Sequence, residues 1–148
     1  MTNEGELTLE ARIPSPNPSW LAQISEEILE PNLPIIDPHH HLWDMKGKRY
    51  LLDDLLSDLG SGHNIVATVF LACASMYKNS GPEHLKPIGE TEFVNGIAAM
   101  SASGKYGNTA ICAGIVGFAD LTMGASVEEV LHLQILAGGS RFKGIRYG

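Results

Sequence analysis

Two almost unbroken apolar runs, IVATVFLAC at residues 65–73 and AICAGIVGF at 110–118, constrain this chain most. Both are short and contain β-branched residues, the mark of strands buried on both faces, as in a parallel sheet. Helical periodicity fills the gaps. Residues 50–59 put Leu52, Leu55, Leu56 and Leu59 on one stripe, and Gly60 ends it. Residues 88–103 put Phe93, Ile97 and Met100 at helical spacing, with Gly96 weakening the segment. Ser126 is placed to cap a further helix with Glu128 and Glu129 in its first turn. Val127, Val130, Leu131 and Ile135 would line its inner side, and Gly138-Gly139 would end it. Further strands are expected at 35–41 and 141–147. Strands alternating with helices imply a parallel sheet with right-handed crossovers. No glycine-rich phosphate loop follows a strand, since Gly60-Ser61-Gly62 precedes one. On pattern alone, a flavodoxin-like open sheet and a barrel both fit.

Ahead of these units, residues 1–18 read as a flexible arm, because Pro14, Pro16 and Pro18 exclude a helix interior. Ser19 is then expected to cap a helix with Trp20, Ile24 and Ile28 on one face, stopped by Pro31. That helix either plugs one end of a barrel or packs loosely on the surface. Residues 1–32 are thus an arm and helix, and 33–148 the folded unit. The net charge of −7 is concentrated early, six glutamates against Arg12 giving residues 1–30 a charge of −5. It gives no reason to expect nucleic acid or an anionic membrane as partner. No apolar run reaches the ~18–20 residues of a membrane span. The N-terminus lacks a basic region followed by an apolar one. Cys73 and Cys112 form no C-x-x-C pair and fall in predicted strands, so reduced, buried thiols in a cytoplasmic protein are expected.

The chemistry is concentrated in residues 33–44, LPIIDPHHHLWD. A strand ending there would place Asp37, His39 and His41 on one face and His40 on the other. Two imidazoles two residues apart on one face can hold one metal ion, and a nearby carboxylate, Asp37, can orient a ligating ring. A solvated loop or an adventitious metal-binding tract is the bland alternative.

The string IIDPHHHLWD resembles the first barrel strand of the amidohydrolase-related metal-dependent hydrolases, the lactonase branch of the amidohydrolase superfamily. The D-x-H-x-H element of that branch maps onto Asp37, His39 and His41. GHNIVATVFLACASMY from Gly62, PIGETEFVNGIAA from Pro87, CAGIVGFADL from Cys112 and RFKGIRYG from Arg141 are also similar to it, in the same order. The resemblance implies a partial (β/α)8 barrel of about four βα units. It implies His39 and His41 as metal ligands, a divalent metal such as Zn2+ (some relatives need none), and hydrolysis of a sugar or dicarboxylate lactone. A decarboxylase of the same superfamily and a non-catalytic remnant are the alternatives.

A complete barrel takes about 250 residues. The further metal-ligand His and the proton-accepting Asp expected in this family fall on later strands, beyond residue 148. Exposed sheet edges in such a half-barrel are expected to drive self-association. Arg146, near the carboxyl end of the last expected strand, is a candidate for a substrate carboxylate or for an ion pair inside a barrel. Arg141, at the other end, and Glu90, early in a helix, read as structural. Trp43 either lines the substrate site or packs in the core.

Overall fold

The structure is a computed structural model that describes residues 17–45 and 47–147. Most of the proline-rich arm lies outside them. The described elements are α1 (Pro18–Leu21), β1 (Ile35–His40), β2 (Trp43–Met45), β3 (Lys48–Tyr50), α2 (Leu52–Leu59), β4 (Ile65–Leu71), α3 (Ile88–Ala102), β5 (Ala110–Phe118), α4 (Val127–Gly138) and β6 (Phe142–Arg146). Short 3-10 turns at Glu83–Leu85, Leu121–Ser126 and Gly139–Arg141 join them.

β1, β4, β5 and β6 form one parallel sheet in that spatial order. Each βα unit therefore lays its next strand beside the last. A sequential order has no switch point of the kind a flavodoxin-like sheet carries. A separate antiparallel hairpin, β2–β3, pairs Trp43 with Tyr50 and Asp44 with Arg49. No alternation in the sequence is strong enough to announce it.

The core lies between the sheet and the helices. Leu42 and the α2 residues Leu52 and Leu55 pack with Phe70 of β4, Val94, Ile97 and Ala98 of α3, and Ile111, Cys112 and Ile115 of β5. The opposite face of the sheet is barer: Val69, Leu71 and Val116 are only half-buried. The expected burial of the 65–73 run on both faces is thus corrected. β4 ends at Leu71, and its apolar content exceeds what one helix-covered face uses.

Three helix expectations also change. The helix expected from Ser19 through Ile28 is a single turn, capped by Asn17, whose side chain accepts the Trp20 N–H. Trp20 is 65% and Ile24 74% exposed, so the apolar stripe finds no surface to cover. Short helices without packing are marginal in water. Ser126 makes no side-chain cap to α4 and instead closes the preceding 3-10 turn. Ile135 is 54% exposed, and its neighbour Gln134 takes the inner position. Gln134 donates to the Phe118 carbonyl at 3.0 Å and accepts from Thr91 Oγ1. A polar residue matched on both sides displaces an apolar one here because it satisfies the end of β5.

Candidate functional site

β1 carries His39 and His40, and His41 directly after it, to the carboxyl margin of the sheet, where they point in two directions. His40 points into the core: Nε2 lies 2.9 Å from Thr68 Oγ1 and 3.8 Å from Cys112 Sγ. Phe70 meets its ring edge-on at 5.9 Å. Burial pushes the His40 pKa below the ordinary value, with the Asp37 charge opposing. Thr68 Oγ1 also accepts the Cys112 N–H at 2.9 Å, at a point where Cys112 has φ 52°. Side-chain oxygen thus replaces a ladder bond that the left-handed residue gives up.

His39 and His41 turn to the barer face. Their Nε2 atoms are 3.2 Å apart, with rings edge to face at 4.9 Å. His41 Nδ1 lies 2.7 Å from the carbonyl oxygen of Leu71, the last residue of β4. A ring nitrogen facing a carbonyl carries the proton, so the neutral His41 ring keeps its lone pair on Nε2. Burial holds the His41 pKa below the ordinary value. The Leu71 carbonyl opposes this, and the charges of His39 and Arg146 reinforce it. Asp37 Oδ1 accepts the His39 backbone N–H at 3.0 Å, so its carboxylate fixes the strand end rather than gripping a ring.

Two facing ring nitrogens at this distance need a proton or a cation between them. Nitrogens each ~2.0–2.1 Å from one zinc are about 2.8–3.4 Å apart at angles from a right angle to the tetrahedral one. The 3.2 Å separation fits that requirement. Among the described residues, no group of three or more His, Cys, Asp or Glu side chains is placed to hold one ion. His39 and His41 are thus a two-ligand arrangement, one short of the three protein ligands usual at a catalytic zinc.

The other sequence candidates gather at the same margin. Trp43 is half-buried, its ring 6.1 Å from His41 and 5.7 Å from Tyr50, so the hairpin forms a side wall beside the pair. Arg146 ends β6 opposite Phe118. It is exposed, and its charge acts on both His41 and Glu90. Arg141, at the other end of β6, donates to Asn95 Oδ1 at 2.9 Å and ties the turn before that strand to α3.

Sequence reasoning undervalued Glu90. It is 1% exposed, and Oε1 accepts the backbone N–H of Cys73 at 2.9 Å and of Ser75 at 2.8 Å. Oε2 is buried without a hydrogen-bond partner among the described residues. Burial pushes its pKa up, against the Cys73 and Ser75 amides and Arg146. The segment it clamps contains Ala74 at φ 63° and Met76 at φ 53°, a conformation costly for residues with a Cβ. Gly89 completes the clamp: a Cβ there would lie 2.7 Å from the Met76 carbonyl oxygen. The signal was the pair Gly89-Glu90 at a helix start, and it can be interpreted only once the loop that folds onto it is known.

No protein-family model matches the chain, and no solved structure matches it. The chain is 30% identical to an uncharacterized protein, y4mH, of Sinorhizobium fredii (strain NBRC 101917 / NGR234), over 78% of this chain and 40% of that protein. It therefore spans less than half the length of the curated relative it matches.

Proposed function

We propose that the chain carries the first part of a metal-dependent hydrolase site of the kind its sequence resembles, the lactonase branch of the amidohydrolase superfamily. The observation that carries this reading is the Nε2–Nε2 separation of 3.2 Å between His39 and His41, with His41 Nδ1 tied to the Leu71 carbonyl. His39 and His41 would hold the ion. A bound zinc lowers the pKa of its water from 15.7 to about 7 and polarises a carbonyl.

The chain's own residues supply position and charge. Leu71 fixes the His41 tautomer and ring plane, as outer partners of ligating histidines do. Asp37 holds the backbone that carries His39. Arg146, across the margin, offers a guanidinium fork to a carboxylate on a substrate or on a product acid. Trp43 closes one side. In the family the sequence resembles, the residue that takes the water's proton sits on a later strand than β6. A sequential parallel sheet with its polar groups at the carboxyl margin is the arrangement a (β/α)8 enzyme uses. A partial barrel is the reading of the fold that this supports.

The test is zinc titration by calorimetry on the chain, with His39→Ala/His41→Ala as control. Saturable binding that the double substitution abolishes supports the reading. Absence of binding, or binding that survives the substitution, removes it.

A further inference from the structure

A cleft of about 660 Å³ opens at the same margin of the sheet, on the far side from the histidines. The loop after β4 and the ends of β5 and β6 form it, through Tyr77, His84, Phe118, Asp120, Met123 and Tyr147 among others. Its size is that of a small-molecule site, and it lies at the carboxyl ends of β5 and β6. Phe118 and Tyr147 stack at 5.9 Å and 28°, making one continuous aromatic wall.

We propose that this cleft binds an organic cation, an alkylammonium group carried on a small apolar body. Aromatic faces attract such a cation through the negative charge of their π surfaces, and most strongly where water is excluded. Asp120 supplies the counter-charge. Its Oδ1 is fixed by the Thr122 N–H at 2.9 Å and the Thr122 hydroxyl at 2.6 Å. Those bonds hold its carboxyl below the usual range, so it stays ionised. Glu83 adds little, because Lys86 pairs with it at 2.5 Å. Neither lysine nor arginine is among the described residues lining the cleft. Arg146 acts on His41 and Glu90 instead. The loop bearing Tyr77 is held by the Glu90 clamp, so the site is largely preformed.

The experiment compares choline with 3,3-dimethylbutan-1-ol, its neutral isostere, by calorimetry on the whole chain in EDTA. The expected result is saturable choline binding, with the isostere weaker by about threefold, the size of a cation–π contact at a solvent-exposed site. Asp120→Asn keeps an amide oxygen for Thr122 and removes the charge, and it should weaken choline binding by a similar factor. Phe118→Leu should do the same, with circular dichroism confirming the fold. Equal binding of the isostere, choline binding unchanged in Asp120→Asn, or no choline binding overturns the proposal. Neither His39 nor His41 lines the cleft, so the His39→Ala/His41→Ala variant should bind choline normally in EDTA. The hydrolase reading and this one therefore fail separately.

Discussion

His40 and His41 are neighbours in sequence and opposites in environment. His40 lies 8% exposed on the helix-covered face of the sheet, bonded to Thr68 and packed on Phe70. His41 stands on the barer face with one nitrogen anchored and the other presented to His39. The same side chain is a packing element in one place and a ligand candidate one residue later. What separates them is the two-residue period of a strand and the choice of face that the helices cover. The covered face holds the fold together, and the bare face carries the polar groups that give this margin its chemistry.

The contrast predicts unequal costs of mutation, greatest in β4. Phe70→Ala, on the covered face, should cost about 3–5 kcal/mol and broaden or abolish cooperative urea unfolding. Val69→Ala, one residue away on the barer face, should cost less than about 1.5 kcal/mol. Equal costs would mean that the second face is as well packed as the first. The histidines extend the comparison at lower amplitude. His40→Ala leaves the Thr68 hydroxyl without its buried partner and should cost about 2 kcal/mol, while His39→Ala should stay within about 0.5 kcal/mol. Thermal melts in EDTA measure both, and a reversed order would contradict the assignment of faces.

The smallest effect sharpens the account at Glu90. Burial raises its pKa in the folded chain, so folding retains a proton that the unfolded chain releases. The stability this group contributes is complete below the unfolded carboxylate pKa and is lost as pH rises through the raised folded value. Glu90→Gln should remove that loss, flattening the melting temperature against pH above the ordinary range near 4.5. A slope unchanged by the substitution would show that the carboxyl is not the titrating group.

What could be read from the sequence follows the same division. The span 110–118 of β5 was legible to the residue, because a β-branched run between turn signals leaves little choice. The opposite facing of His39 and His40 was legible too from strand alternation, whereas the register irregularity between Asp37 and His40 was not. The extent of the helix after Asn17 was not, because its apolar stripe needed a surface that the sequence cannot reveal. Gln134 takes the inner position expected of Ile135 because the Phe118 carbonyl and Thr91, 16 and 43 residues away, satisfy the glutamine. The Glu90 clamp stayed hidden for the same reason: its partners belong to a loop, and they are backbone groups. Local patterns report on periodicity, whereas polar satisfaction is settled between distant segments.

The most direct test of the central claim uses the three histidines as reporters in one experiment. Long-range proton–nitrogen NMR on uniformly labelled chain resolves both ring nitrogens of each histidine and reads its tautomer. The account predicts that His41 carries its proton on Nδ1 before zinc is added. Zinc should then shift the Nε2 signals of His39 and His41 together and leave those of His40 in place. Movement of the His40 nitrogens with the others, or no movement at His39 and His41, would contradict the separation of the two faces and the metal-binding role built on it.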